Sequence, residues 1–465
     1  MSTVAGRLES GTAPGAKHPG AQVTEGLPRG PRAPAVLQTL AWALAPTWLM
    51  DRCARRLGET FSVTFGPGRR TFVMVSDPEA VKRVFTAPAD VAPSAAGNSP
   101  IAGVLGRSSV IVLTGAEHMR QRKLLLPPFH GERMREYERV MVQATKRDMA
   151  EWKLGEPMRL ATHTRSITLE VILRAVFGVE AERMGPLRAA IAGLLEPMSG
   201  LALVRIALRR ATSERPPGAM GRAVDRLDAV IYEEIERHRS EGDLKERTDI
   251  LSLLMQARDE EGESMTDGEL RDELVSLLLA GHETTATSVA WAVERLIRHP
   301  EKLDRLIAEV DAHGPAGDEY MTAVVSETLR VRPVVPIVVR LLLKELEVGG
   351  YRLPAGTLVA PNIYLTNRNG RVYENPKEFR PERFLTQAPD TFSWIPFGGG
   401  IRRCIGASFA QVEMKLILGT MLSELRPRLS GTRAASGEWV RRRAITLVPG
   451  SGARVVWERR ADKTV

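Results

Sequence analysis

Cysteine is almost absent. Cys53 and Cys404 are the only two in 465 residues. They lie far apart and outside any C-x-x-C spacing, which excludes a disulfide framework and a cysteine zinc site and fits a reducing cytoplasm. Histidine is sparse as well, eight in all. His282-Glu283-Thr284-Thr285-Ala286 lacks the second histidine that a zinc-protease helix requires, so a zinc hydrolase is excluded. Nowhere do 18 apolar residues run together, and no transmembrane anchor is expected. Leu37 to Met50 is apolar but short and broken by Pro46, enough at most to touch a membrane surface. The first 27 residues have no apolar segment of signal-peptide type. No G-x-G-x-x-G strand-turn-helix is present to bind nicotinamide. Net charge is +9 with a pI near 9.7, yet the arginines are dispersed and no finger, basic zipper or RNA-binding aromatic motif accompanies them. A nucleic-acid partner is therefore excluded in favour of an acidic protein partner.

What the chain does have is 43% hydrophobic and 26% charged residues, the balance of a globular protein with a large core. Leu27-Pro28-Arg29-Gly30-Pro31 makes a rigid entry. Residues 1–27 read as a disordered extension and 28–465 as one domain. Cys53 falls in the helical pattern Trp48 to Leu57 and is read as core. Phe61-Ser62-Val63-Thr64-Phe65 alternates as a strand, Gly66-Pro67-Gly68 turns it, and Thr71 to Val75 returns. Most of 115–330 has helical periodicity without solenoid repeats, so the fold class is mainly α with a minor β part. Thr266-Asp267-Gly268-Glu269 is a capping box opening a helix that Pro300 bounds. At its middle, Gly281 and the adjacent Thr284 and Thr285 predict local distortion.

One stretch carries chemistry. In Phe397-Gly398-Gly399-Gly400-Ile401-Arg402-Arg403-Cys404-Ile405-Gly406, three glycines allow a tight approach to something flat, and two arginines put positive charge beside a thiol. The apolar run Ala407 to Leu425 reads as a helix whose N-terminal dipole would help hold Cys404 deprotonated. From these residues alone Cys404 is an iron ligand or a buried structural thiol.

Four motifs stand in order: Ala280-Gly281-x-Glu283-Thr284-Thr285, Glu327-Thr328-Leu329-Arg330, Pro381-Glu382-Arg383-Phe384 and the Cys404 loop. Together they resemble the cytochrome P450 family over roughly residues 28 to 460. The resemblance implies the P450 fold, with a long central helix over a haem and a Cys ligand loop. It implies haem b (iron protoporphyrin IX) with Cys404 as the iron ligand, and propionates held by His118, Arg122, Arg340 and Arg402. Many members have Trp where this chain has His118. Glu327 and Arg330, three apart on one helix face, could be an exposed pair; the resemblance implies instead a buried network joined by Arg383. Glu283 and Thr284 are implied to deliver protons to bound oxygen.

The implied activity is a monooxygenase acting on a hydrophobic small molecule such as a fatty acid, alkane, terpenoid or polyketide. Apolar walls would come from Asn98 to Val112, Leu194 to Leu208 and Val334 to Val339. Arg205, Arg209 and Arg210 either hold a substrate carboxylate or form a solvated face. Electrons would come from an acidic ferredoxin or flavodoxin with its reductase, docking near Lys123, Arg133, Arg135 and Arg403. A peroxide-driven peroxygenase and a haem-thiolate sensor or carrier are the alternatives; the Glu283-Thr284 pair counts against both.

Overall fold

A computed structural model describes residues 23–66, 70–94, 101–129, 133–178, 184–195, 216, 218–242, 244, 246–430 and 437–460. Its axis is the helix Asp267–Leu296, thirty residues long. The capping box is formed: Thr266 Oγ1 accepts from the Glu269 amide at 3.2 Å, and Glu269 accepts from the Thr266 amide at 2.8 Å. Two donors that the first turn would leave orphaned are thus satisfied. A helix of this length spans about 45 Å, enough to cross the whole protein.

The long helix packs on Leu160–Phe177 and Ala407–Glu424 and is buried along most of its length. The largest apolar cluster surrounds it, with Leu274, Leu278, Val289 and Leu296 fully buried. The expected distortion is not seen, since the helix stays α-helical from Asp267 to Leu296. Thr284 Oγ1 donates to the Ala280 carbonyl at 2.6 Å, adding a bond one turn back. The helical ladder is supplemented there, not diverted.

The β part is small and mostly non-local. Thr60–Phe65 and Arg70–Val75 pair antiparallel, with Phe61 opposite Met74 and Val63 opposite Phe72. Leu358–Pro361 then pairs parallel to the second strand, and Arg340–Leu341 completes a four-stranded sheet. Two further apolar clusters cover this sheet, one of them containing Cys53. A second sheet brings Pro157–Arg159 and Leu425–Leu429 against Arg454–Arg459. Beside it, Val440–Arg443 and Thr446–Pro449 form a hairpin. Pro46 opens the helix Pro46–Leu57, separating it from Ala35–Leu44. Thr24–Glu25, ahead of the boundary read at residue 28, pairs parallel to Tyr351–Arg352. Residues 1–22 lie outside the described residues, as do Arg205, Arg209, Arg210 and most of Leu194 to Leu208. No described helix is long and apolar enough to cross a membrane.

Candidate functional site

The Cys404 loop is shaped by its glycines. Gly398 and Gly400 have φ of 68° and 65°, the left-handed region that favours glycine. Gly399 has a different reason: a Cβ there would lie 2.3 Å from the ring of Phe85. The loop closes where the Cys404 amide donates to the Phe397 carbonyl at 3.0 Å, and the helix Ala407–Glu424 starts three residues on. Cys404 is solvent-accessible, yet enough protein surrounds it for burial to push its thiol pKa up. The Gly406 amide and the charges of Arg122 and Arg403 pull the other way without prevailing. Within the protein alone, burial thus opposes the arginines that favour the thiolate; a coordinating metal deprotonates a thiol outright.

Three arginines and a histidine converge beside this loop. Arg340 is buried, and desolvation brings its pKa down to about 10. Arg402 also falls to about 10, through burial and then the charges of Arg340 and Arg122. His118 is buried and lowered to about 4 by desolvation, then by Arg402, Arg122 and Arg340. Its Nδ1 is buried without a hydrogen-bond partner. Arg402 donates to the carbonyls of Val110, at 3.1 Å, and Leu113, and Arg340 donates to its neighbour Val339. Among the described residues no ion pair joins Arg122, Arg340 or Arg402 to a carboxylate. Arg340 is buried and Arg122 and Arg402 are half-buried, and cations desolvated in this way are costly unless an anion joins them. A flat dianionic group with a metal that takes a thiolate fits this donor set, and two carboxylates on one edge of that group would use the cluster. The cluster contains all four residues expected to hold the propionates.

The loop hangs from a separate buried network. Arg330 and Glu327 are fully buried and joined by two bonds, Nε to Oε2 at 2.7 Å and Nη2 to Oε1 at 2.8 Å. Arg330 also donates to the carbonyls of Asn367, Pro376 and Glu378. Arg383 Nε reaches Glu327 Oε1 at 3.2 Å, and the Arg380 amide reaches the same oxygen at 2.7 Å. From there Asn367 Oδ1 accepts the Ile395 amide at 2.9 Å, and Trp394 Nε1 donates to the Ser326 carbonyl. One ion pair on the helix Glu319–Val331 thus fixes residues 367–395, which lead directly into the Cys404 loop. The exposed-pair reading of Glu327 and Arg330 is overturned by their burial.

On the long helix, Leu277, Leu279, Ala280, Gly281 and Thr284 are the residues between 270 and 294 that escape full burial. Leu277, Ala280 and Thr284 share a face. Glu283 points elsewhere. Its Oε1 lies 3.3 Å from Arg443 and 4.0 Å from Arg165, and Oε2 is buried without a partner. Burial raises the Glu283 pKa against the pull of Arg443, Arg165 and Arg441. Adjacent in sequence, Glu283 and Thr284 therefore do different things: one is held by arginines, the other holds a proton on the accessible face.

Two buried acids escaped the sequence reading. Glu413, on the helix after Cys404, sits beside Thr285 and is pushed up to about 8 by burial. Glu273 is likewise raised to about 8, its Oε1 accepting from the Val110 amide at 2.8 Å. The available signal was a carboxylate on the apolar face of an otherwise buried helix.

A solvent-accessible cysteine surrounded by protein, desolvated arginines without a carboxylate beside it and an accessible hydroxyl on the crossing helix are what a haem-thiolate protein requires. The family model for Cytochrome P450 matches residues 28–435. The protein of Mycobacterium tuberculosis named cytochrome P450 135B1 is 40% identical over 436 residues, covering 92% of this chain and 91% of its own. Cytochrome P450 137 of the same organism is 41% identical over 438 residues, covering 92% and 89%. Among solved structures, retinoic acid-bound cyanobacterial CYP120A1 superposes with a TM-score of 0.79 over 94% of this chain and all of that one. At 23% identity that likeness speaks for the fold. The chain belongs to the cytochrome P450 family and is a P450 monooxygenase, with the haem, the hydrophobic substrate and the redox partner that membership implies.

Proposed function

We propose that this chain, as a single domain in the cytoplasm, inserts one oxygen atom from O2 into a hydrophobic small molecule of fatty acid, alkane, terpenoid or polyketide type. Bound haem b would supply oxygen activation, its electronics set by thiolate ligation. Cys404 would be the ligand, with the Gly406 amide, Arg122 and Arg403 favouring the anionic sulfur. His118, Arg122, Arg340 and Arg402 would hold the propionates. The observation that carries this reading is the cluster of desolvated arginines, with the buried His118 among them and no carboxylate, beside an accessible thiol.

The rest follows from the chain's own groups. Thr284 keeps a hydroxyl proton on the accessible face, bonded back to Ala280. Glu283 would pass protons toward it once its carboxylate exchanges an arginine partner for water. Apolar walls are available from the partly buried Ile101, Ile111, Val112, Val335 and Val338. Electrons would arrive from an acidic ferredoxin or flavodoxin with its reductase. Arg403 and Arg135 are exposed, and the helix carrying Arg135 packs on the helix that follows Cys404. Lys123 is taken by Glu260 at 2.6 Å and contributes less. The side chain of Arg133 lies outside the described residues.

The test is the ferrous carbon monoxide complex of wild type and Cys404→Ser. Wild type should show the red-shifted band of a thiolate-ligated haem and the variant should lose it; a band retained in the variant removes Cys404 as ligand. Ligand-induced shifts of the haem spectrum across a panel of hydrophobic molecules would then assign the substrate class. Turnover with reduced ferredoxin, compared with hydrogen peroxide alone, separates the monooxygenase from a peroxygenase.

A further inference from the structure

On the Glu283 side of the long helix lies an open cavity of about 840 Å³, between the strands Pro157–Arg159 and Arg454–Arg459 and the hairpin Val440–Arg443/Thr446–Pro449. Its charge is arranged unusually. Arg159 and Arg454 are directly opposite each other across the antiparallel pair, and both line the cavity. Like charges facing across strands repel. Among the described residues neither guanidinium has an ion pair or a side-chain hydrogen bond. Arg165 and Arg441 line the same space. The acids there are already engaged: Glu294 by Arg295 and Arg298, and Glu438 by the Ser451 amide and hydroxyl. An apolar platform completes the wall. Trp439 is 56% exposed and lies against Gly450, where a Cβ would come within 2.1 Å of the indole.

We infer that this cavity binds a small planar organic anion, its phosphate or carboxylate on Arg159 and Arg454 and its ring on Trp439, and that the occupant is coupled to Glu283. Arginine forks match such oxyanions, and a guanidinium pair facing one space supplies several donors at once. The coupling follows from shared arginines. Arg165 lines the cavity and is also a partner of Glu283, so an anion there competes with the carboxylate for its charge. By linkage, removing the Glu283 charge must strengthen anion binding. The coupling to proton delivery rests on the proposed role of Glu283; the binding site does not.

The test uses the haem-loaded full chain and 2-naphthyl phosphate, titrated by calorimetry at fixed salt. The Arg159→Gln/Arg454→Gln variant should bind about tenfold more weakly, as expected for losing charged hydrogen bonds. Trp439→Ala should also weaken binding, and 2-naphthol and inorganic phosphate should each bind less well than the ester. Glu283→Gln should bind about fivefold tighter, the low end of couplings between sites. Equal affinity in wild type and the double arginine variant overturns the site, and so does a probe-induced shift of the haem spectrum that persists in that variant, which would put the probe in the haem cavity. Unchanged affinity in Glu283→Gln overturns the coupling. Because the readout is heat of binding, a failure of the thiolate assignment would appear separately, in the carbon monoxide spectrum.

Discussion

Two sets of desolvated ionisable side chains flank the Cys404 loop, and they are built on opposite plans. Glu327 and Arg330, both fully buried, satisfy each other and the carbonyls around them, and Arg383 adds a bond to Glu327 while its Nη2 stays buried without a partner. His118, Arg122, Arg340 and Arg402 share no carboxylate among the described residues, and desolvation shifts the pKa values of all four downward. The first set carries its own counter-charge and holds the loop in place. The second has no counter-charge of its own, and the proposed haem propionates would supply one. A buried charge network thus reads as scaffold or as ligand site according to whether its own partners close it.

The sharpest way to break the comparison is to remove one member of the closed set. Glu327→Ala or Arg330→Ala leaves a partner charge buried and alone, and should lower stability by about 3 to 5 kcal/mol. Thermal unfolding and haem per protein measure it, and wild-type values in both variants would mean that the pair does not hold the loop. The open set should respond differently. Arg340→Gln should weaken haem retention roughly tenfold to a hundredfold, the range of a charged hydrogen bond, while the haem-free chain loses little stability or gains some. Haem transfer to an apo-globin acceptor, set against unfolding of the haem-free chain, separates the two effects.

The buried titratable groups sharpen the contrast through pH. Glu273 and Glu413 have folded pKa values near 8. The stability they contribute is full below their unfolded values and is lost as pH rises toward 8. His118 and His282, both near 4, act in the opposite sense: their contribution is present above the unfolded histidine value and is lost as pH falls toward 4. Between about pH 6.5 and 8, only the acids among these four titrate, so stability should fall with rising pH by at most about 1.4 kcal/mol per unit for each. Denaturant unfolding should show Glu413→Gln flattening that fall. The smallest structural effect is expected from Thr284→Ala, which deletes one bond to Ala280. Haem content and stability should stay at wild-type level while product per reduced nicotinamide drops sharply and peroxide appears; an unchanged ratio removes Thr284 from proton delivery.

Local signals were legible in the sequence where their physics is local. The capping box at Thr266, the pairing of residues 61–65 with 71–75, and the glycines before Cys404 act over a few residues, and each stands where it was expected; residues 67–69 of the turn lie outside the described residues. The distortion near Gly281 failed because tertiary packing decides there, with Ile172 against Gly281 and Thr285 and Thr287 buried. Partners distant in sequence were not legible. Arg443 reaches Glu283 from the far hairpin, Arg454 meets Arg159 from the last strand, and Glu413 meets Thr285 from the next helix over. Lys123 looked like a docking charge because nothing in its own neighbourhood indicates Glu260.

The parallel pairing of the first sheet also sets a clock. Phe72 and Val75 wait for Leu358 and Pro361, 286 residues further along the chain. At roughly 5 to 20 residues per second, a ribosome needs on the order of 15 to 60 seconds to supply them. Through that interval the hairpin formed by Thr60–Phe65 and Arg70–Val75 presents an open edge, a template for unwanted pairing with other nascent chains. The yield of native protein in a cell should therefore depend on translation speed and on whatever shields that edge until the partner strand emerges.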